Sequence, residues 1–386
     1  MFVRMLALLA AAMIASPATA SAQGSAIPAG EAEPIALATR LAEWQLARMQ
    51  DADLISRATH ATRNPRAWEQ AVFWVGMTAL ADAGAPPAIR DAIIAMGRGN
   101  DWRPGERPYF ADDHVITQSY LWAAANGMGP AARTATQATF DRVVDRPAVT
   151  TLAFHVPPEG YDAAECLTRW CWCDALFMAP PAMLELSRQT GDPKYRDFAL
   201  REFWAITDFL YDPAERLYFR DSRFFDRRDE QQRKLFWARG NGWVFAGMAR
   251  IIPYLPEGSA ERERMVTLFR QMADRLRSLQ KADGTWAPSL LAPEGSPRES
   301  SGTGFFTYGI AWGVRQGILP RAEYEPVARR GWAALVDSIQ PDGRLGWVQQ
   351  VSDRPEEVAA SDTQYYGVGA FLLAATEIAR LDSAPR

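Results

Sequence analysis

Apolar side chains recur along most of the chain at the spacing of α-helices, and they seldom alternate with polar ones as they do in β-strands. Leu41 and Trp44 share one such stretch, and Phe73, Met77 and Leu80 share another. Residues spaced in this way lie on one face of a helix. The pattern predicts an all-α fold.

The predicted helices also come in pairs. In each pair a helix with an Arg- and Glu-rich face is followed, after a loop, by a more apolar helix whose first residues are polar or aromatic. The six pairs are residues 35–50 with 67–83, 87–98 with 113–126, 131–144 with 174–189, 194–210 with 237–254, 260–280 with 302–316, and 322–339 with 363–380. Repeated hairpins bury their apolar faces on one another. We therefore expect the six to close into an (α/α)6 barrel.

In such a barrel the apolar second helices form the inner ring, and their N-terminal ends meet at one mouth. The residues at those ends include Trp68, Asp113, Asp174, Arg239, Trp243 and Ser301. Acids, an arginine and aromatic rings around a cavity suit an anionic sugar, because rings stack on sugar faces and a guanidinium pairs with a carboxylate. The arrangement predicts a carbohydrate site.

Asp174 has the most informative surroundings in the chain. It lies in the run Trp170-Cys-Trp-Cys-Asp-Ala-Leu-Phe-Met178, between large aromatics and an apolar helix. Burial disfavours a carboxylate and raises its pKa, which keeps an acid able to donate a proton near neutral pH. The alternative is that Asp174 only caps the helix that follows it.

Two other candidates also have structural interpretations. Either Asp112 or Asp113 can serve as a helix cap, and Arg239, in the sequence Ala-Arg-Gly-Asn-Gly, can form a structural salt bridge. The sequence contains no Gly-x-Ser-x-Gly, Walker, dinucleotide-binding or His-Glu-x-x-His motif, which disfavours a serine triad or catalytic zinc. We expect no metal and no cofactor.

The N-terminal residues predict export. One arginine, a short apolar stretch and Ala-x-Ala sites occur within the first 23 residues, as in a cleaved secretory signal peptide. We assign residues 1–22 to this peptide and residues 23–386 to one catalytic domain. The location would be periplasmic or secreted, with no membrane insertion, as a monomer or weak homo-oligomer.

Charge and cysteine content narrow the function further. The formal net charge is −4 and no run of basic residues occurs, so nucleic acid is a poor candidate partner. Cys166, Cys171 and Cys173 are the only cysteines. One pair, Cys166 with Cys171 or with Cys173, can form a disulfide in an oxidising compartment.

Several motifs together resemble glycoside hydrolase family 105, the unsaturated rhamnogalacturonyl hydrolases, and the related family 88 of unsaturated glucuronyl hydrolases. The motifs are Asp113-His-Val-Ile-Thr-Gln, Trp172-Cys-Asp-Ala-Leu-Phe-Met-Ala-Pro-Pro, Thr190-Gly-Asp-Pro-Lys-Tyr, Phe236-Trp-Ala-Arg-Gly-Asn-Gly-Trp, Glu299-Ser-Ser-Gly-Thr-Gly and Asp362-Thr-Gln-Tyr-Tyr-Gly. They occur in order over nearly the whole chain after the first 22 residues. The resemblance implies an (α/α)6 barrel that acts on oligosaccharides left by polysaccharide lyases, whose non-reducing end is a 4,5-unsaturated uronic acid.

The resemblance also implies a mechanism and roles for residues. A protonated Asp gives its proton to C4 of the vinyl ether, water adds at C5, and the resulting hemiketal opens and frees the next sugar. By position Asp174 matches the acid and base of this reaction, and Asp113 matches the second active-site acid. The residues that match substrate contacts, or that can make them here, are Trp68, Trp172, Arg220, Arg239, Trp243 and Ser301.

The sugar linked to the uronate stays open between several candidates. A rhamnogalacturonan unit from pectin is the first, and ulvan or glycosaminoglycan-like units are the alternatives. Arg220 occupies a position where some relatives have a histidine, and it can pair with an acidic or sulfated group of the substrate. A polysaccharide lyase and a non-catalytic sugar-binding protein on the same fold are the competing functions.

Overall fold

The computed structural model describes residues 33–51 and 64–383, and it is predominantly helical there. The predicted signal peptide, residues 1–22, lies outside the described residues. The helices are α1 (Pro34–Leu46), α2 (Trp68–Asp82), α3 (Pro87–Gly99), α4 (Ile116–Ala123), α5 (Thr134–Asp145), α6 (Ala175–Met178), α7 (Pro180–Thr190), α8 (Lys194–Leu210), α9 (Ala238–Ile251), α10 (Ala260–Leu279), α11 (Ser300–Arg315), α12 (Arg321–Val336) and α13 (Tyr365–Ser383). None of these helices is long and apolar enough to cross a membrane.

The helices form the six predicted pairs. The second members pack side by side in a ring, in the order α2, α4, α6 with α7, α9, α11 and α13, and α13 returns to α2. The first members lie outside this ring. The predicted (α/α)6 barrel is thus confirmed. One difference is that the third inner helix is broken. The single turn of α6 ends at Met178, and α7 begins with Pro180 and Pro181, which cannot continue the hydrogen bonding of α6.

Burial distinguishes the two layers. Every residue of α11 from Ser300 to Val314 is buried, as an inner helix with neighbours on all sides requires. The outer helix α10 buries one stripe instead, which includes Met265, Phe269, Met272 and Leu276. A helix with one apolar stripe belongs at the outer surface of the barrel.

The ring closes through close contact between its first and last inner helices. A Cβ atom on Gly76 of α2 would lie 2.7 Å from the backbone oxygen of Gly369 in α13, and one on Gly369 would lie 2.4 Å from the oxygen of Val72. Only glycine fits this approach of two backbones. The Tyr365 hydroxyl also donates to the Met49 carbonyl at 2.6 Å. The two ends of the described chain are thereby joined.

A short hairpin leads from the outer layer to the mouth of the barrel. Strands β1 (Tyr211–Asp212) and β2 (Leu217–Tyr218) pair antiparallel directly after α8. The side-chain amide of Asn241 in α9 accepts from the Tyr218 N–H at 2.8 Å and donates to the Tyr218 carbonyl at 3.0 Å. This anchor fixes the position of Arg220, two residues further on.

Candidate active site

A cavity of about 840 Å³ opens at the N-terminal ends of the inner helices. Its lining includes Trp68 and Glu69 from α2, Asp112 and Asp113 before α4, Asp174 before α6, and Arg220 after β2. Helices in such a ring all present their N-terminal ends to the same side. This is why residues more than 100 positions apart in sequence meet here.

Asp174 is enclosed at the bottom of this cavity, with 7 % of its surface exposed. It is the residue that precedes α6, but its side chain makes no capping hydrogen bond. Its Oδ2 lies 3.4 Å from the Cys173 thiol and 3.6 Å from Nε of Arg220. Burial raises the pKa of Asp174, and the charge of Arg220 opposes that rise without cancelling it. The enclosed site therefore makes Asp174 more able to hold and donate a proton than an exposed aspartic acid.

Asp112 is the acid that interacts with Asp174. It lies in a short 3₁₀ turn, Ala111–Asp113, and its Oδ1 is buried without a hydrogen-bond partner among the described residues. Burial, followed by the negative charge of Asp174, raises the pKa of Asp112 to about 8. A buried polar oxygen without a protein partner normally has its hydrogen bond satisfied by water or a ligand.

Asp113 lines the cavity but is engaged in a different contact. Its Oδ2 accepts the backbone N–H of Arg107 at 2.7 Å, and its Oδ1 pairs with the Arg107 guanidinium at 2.7 Å. A Cβ added to Gly105 would lie 2.4 Å from the Asp113 side chain. Asp113 thus holds the loop at residues 105–107, and no capping bond from either acid to α4 is present.

Arg220 lies next to the proton donor. It is buried, with 8 % of its surface exposed, and its Nη1 donates to Asp221 at 2.9 Å. Its guanidinium faces the rings of Tyr161 and Trp172 at 5.7 and 5.9 Å. Its Nε has no hydrogen-bond partner within the described part of the chain. This Nε is the atom that lies 3.6 Å from Oδ2 of Asp174, and the Arg220 side chain lines the cavity beside that acid.

Trp68 and Glu69 form the opposite wall. The ring of Trp68 stacks on Tyr366 with centroids 5.0 Å apart, and part of it faces the cavity. Burial raises the pKa of Glu69 to about 7, and Arg107 opposes this rise. An aromatic face and a neutral carboxyl group suit a sugar ring and its hydroxyls.

Four predicted substrate contacts lie away from this cavity. Trp172, Trp243, Arg239 and Ser301 are at most 1 % exposed, and none of them lines it. Trp243 packs against Phe305 with centroids 4.3 Å apart, and Trp172 packs against Phe110 at 5.1 Å. Both tryptophans support the wall from behind.

Arg239 and Ser301 hold backbone segments together instead of facing the cavity. The amino groups of Arg239 donate to the carbonyls of Gln349 and Gln350, each at 2.9 Å. Ser301 donates to Oε1 of Glu299 at 2.6 Å. In the structure Arg239 donates to backbone carbonyls and lies 3.4 Å from the Ser301 hydroxyl, and it forms no salt bridge with an acid among the described residues.

The cysteines are divided between a disulfide and a thiol. Cys166 and Cys171 are bonded, and Cys173 is a buried thiol. Of the two pairings left open, the first is present. In residues 33–51 and 64–383, no group of three His, Cys, Asp or Glu side chains is arranged to hold a metal ion.

Comparison with known proteins gives the family. Residues 37–382 match the family described as Glycosyl Hydrolase Family 88. An unsaturated 3S-rhamnoglycuronyl hydrolase from Alteromonas sp. (strain LOR) is 40% identical over 350 residues, which are 87% of this chain and 83% of that protein. A protein of the same name from Formosa agariphila is 35% identical over 82% of this chain and 85% of its own length.

A solved structure agrees with the fold. A protein described as a polysaccharide lyase superimposes with a TM-score of 0.77 at 26% identity, and the match covers 92% of this chain and 99% of that one. The family match spans nearly all of the described residues, including every residue that lines the cavity. The protein is a glycoside hydrolase, and it belongs to glycosyl hydrolase family 88.

Proposed function

We propose that the protein hydrates the 4,5-double bond of an unsaturated uronic acid and so releases this sugar from a rhamnose that carries a sulfate at O3. The observation that carries the proposal is Asp174, an enclosed acid with a raised pKa that lines a large cavity. The names of the two relatives support the choice of a sulfated rhamnose over a rhamnogalacturonan unit of pectin.

The geometry suggests how the proton moves. Asp174 gives its proton to C4, the π electrons form the new C–H bond, and positive charge develops at C5 and the ring oxygen. The carboxylate that remains stabilises this charge and then takes a proton from the water that adds at C5. The hemiketal opens to a ketone, and the second sugar leaves. Asp112, which lines the same cavity, is our candidate to bind the attacking water or a sugar hydroxyl.

The residues that line the cavity do not suit a lyase reaction. A lyase removes the proton at C5 of an intact uronate and needs a base for it. Among the described residues that line the cavity there is no histidine or lysine. Tyr161 lines it, but burial raises its pKa to about 12, which makes it a poor base at neutral pH.

The ultraviolet absorbance of the conjugated enoate tests the function directly. Unsaturated disaccharides with 3-sulfated rhamnose, with unsulfated rhamnose and with glycosaminoglycan-type sugars would each be incubated with the protein. We expect absorbance to fall fastest with the 3-sulfated compound. No fall with any of them, or a rise with intact polysaccharide, would contradict the proposal.

Arg354 is the residue we assign to the sulfate. It lines the cavity, its side chain is 52% exposed, and its Nε contacts Asp353 at 3.0 Å. The two amino groups have no partner among the described residues and are free to bind an anion. For Arg354→Ala we expect KM on the sulfated disaccharide to rise about tenfold, the loss of one charge-assisted hydrogen bond.

The matched controls are a substrate and a variant. KM on the unsulfated disaccharide should not change in Arg354→Ala. Arg329→Ala removes an arginine of the outer helix α12 that pairs with Glu325 and Asp382, and KM should stay at the wild-type value. An equal rise for both substrates would refute a sulfate contact at Arg354.

The pH dependence of turnover should reflect Asp174. The protonated form is the active one, so kcat falls as pH rises through its elevated pKa. The Cys173 thiol donates to the carboxylate form and lowers this pKa. We therefore expect the alkaline limb to lie at higher pH in Cys173→Ala than in Cys173→Ser, which keeps a donor. A profile that stays flat into alkali would rule out Asp174 as the proton donor.

We also propose that the protein is exported. The charge and apolar pattern of residues 1–22 supports this, and so does the Cys166–Cys171 disulfide, because disulfides persist mainly in oxidising compartments. N-terminal sequencing of the protein from its host tests it. A mature chain that begins at Met1 would contradict the proposal.

A further inference from the structure

The short helix α6, which follows Asp174, is held at its C-terminal end by a side chain from another helix. In a continuous helix the carbonyls of Leu176 and Phe177 would accept from residues 180 and 181. Both of those residues are prolines and have no N–H to donate. Buried carbonyls need a donor, so the Phe177 carbonyl must find one elsewhere.

Gln118 of α4 supplies that donor. Its side-chain Nε2 lies 2.8 Å from the Phe177 carbonyl oxygen and 3.3 Å from that of Met178. Gln118 is 6 % exposed. Its amide therefore replaces the backbone donor that the proline pair removes. It also ties α6 to the neighbouring inner helix.

Arg250, in the last turn of α9, fixes the orientation of this amide. Its Nε donates to Oε1 of Gln118 at 3.0 Å. An arginine can only donate and a carbonyl can only accept, so the amide nitrogen of Gln118 has to face α6. The Arg250 guanidinium also faces the ring of Phe177 at 5.9 Å. Three inner helices thus meet at the end of α6.

The connection to Asp174 is one helical turn long. The Phe177 N–H donates to the Asp174 carbonyl at 3.0 Å, so the residue that Gln118 holds is bonded directly to the proton donor. On the other side, a Cβ on Gly247 of α9 would lie 2.6 Å from the Leu176 oxygen. Close packing therefore prevents α6 from moving towards α9, and the hydrogen bond from Gln118 restrains it on the α4 side.

We propose that Gln118, oriented by Arg250, is a positioning residue that sets the place of the Asp174 carboxyl group relative to C4 of the substrate. Neither residue lines the active-site cavity, so neither touches substrate. The inference rests on the proposed role of Asp174. A misplacement of about 1 Å in a reacting group lowers the rate about 100-fold.

The test compares three variants by kcat, KM and hydrogen exchange. Gln118→Met removes the amide, and Gln118→Glu keeps an acceptor for Arg250 but loses the donor to Phe177. The matched control is Gln189→Met, because Gln189 of α7 donates to the Leu121 carbonyl of α4 at 2.7 Å. The control loses a side-chain hydrogen bond between α4 and α7, together with one to Glu185 within α7, and leaves the bond between α4 and α6 in place.

We expect kcat to fall about tenfold or more in both Gln118 variants, with KM nearly unchanged and the alkaline limb of the pH profile displaced. Gln189→Met should lower the melting temperature by a similar amount and keep kcat within about twofold. If Gln118→Met does not fold, Gln118→Glu and Arg250→Lys, which lacks the Nε donor, carry the test. Wild-type kcat and pH profile in Gln118→Glu would overturn the proposal.

Hydrogen exchange separates this inference from the proposed function. Peptides that cover residues 172–180 should exchange faster in Gln118→Glu than in the wild type or in Gln189→Met. If exchange is faster in Gln118→Glu but the wild type consumes no unsaturated disaccharide, the proposed function is refuted while the restraint of α6 by Gln118 stands. Unchanged exchange would overturn the positioning role, whatever the activity.

Discussion

Replacement of Asp174 by asparagine should reduce turnover of the unsaturated disaccharide by about 1,000-fold or more, because general acid–base groups contribute factors of roughly 100 to 10,000. Asparagine has nearly the same size and cannot give up a proton to C4. The asparagine side chain carries no charge at any pH, so its burial in an enclosed site costs no desolvation of a charge, and the fold should tolerate it. The measurement is the initial rate of absorbance loss at saturating substrate.

The substrate affinity and the melting temperature of Asp174→Asn show whether the loss of turnover comes from the missing proton donor. Substrate affinity of Asp174→Asn, measured by calorimetry, should be close to the KM of the wild type, since the cavity walls are unchanged. The melting temperature should not fall. If the variant keeps more than about a tenth of the wild-type rate, Asp174 is not the acid of this reaction.

The second large effect concerns two adjacent acids. We expect Asp112→Asn to lower kcat by about 100-fold, because Asp112 lines the same cavity as Asp174 and its Oδ1 has no hydrogen-bond partner among the described residues. Asp113→Asn is the matched control. It weakens the pair with Arg107, which is half-exposed, and should change kcat by less than about fivefold at a small cost in stability.

Kinetics of the two asparagine variants on the same substrate distinguish the two acids. A large loss in Asp113→Asn and a small one in Asp112→Asn would restore the assignment based on sequence resemblance. Equal losses would mean that the loop at residues 105–107, which Asp113 holds, also positions substrate.

The sequence was sufficient for the architecture because helical periodicity is a property of many residues. All six pairs form, since an inner helix such as α11 is apolar around its circumference and an outer helix such as α10 is apolar along one stripe. The prediction that second helices share a mouth follows from the pairing alone. Trp68, Asp113 and Asp174 lie at or just before the starts of inner helices and line the mouth for that reason, whereas Arg220 comes from the segment after β2.

The direction of single side chains could not be predicted in the same way. Asp112 and Asp113 are neighbours in a 3₁₀ turn, so they point in directions about a third of a turn apart. The loop at residues 105–107 hydrogen-bonds to Asp113 and so leaves Asp112 as the acid that it does not bind. The charge of Arg239 predicts a substrate contact, but its guanidinium donates to the backbone carbonyls of Gln349 and Gln350 instead.

Gln118 was missed although it stood within a recognised motif. Its role depends on the prolines at positions 180 and 181, more than 60 residues away, and on an arginine in a third helix. The signal that would have found it is the proline pair itself. A helix interrupted beside a candidate acid leaves carbonyls that some buried donor has to satisfy.

The contact between α2 and α13, at Gly76 and Gly369, closes the ring of inner helices and so affects how the barrel unfolds. A linear array of helical hairpins has two end units with one neighbour each, and these fray first and need special polar caps. Here the first and last hairpins are neighbours, so every unit is an interior unit and no hairpin can detach without breaking two interfaces. Loss of structure is then all-or-none around the ring, and the mouth keeps its shape until the whole ring opens.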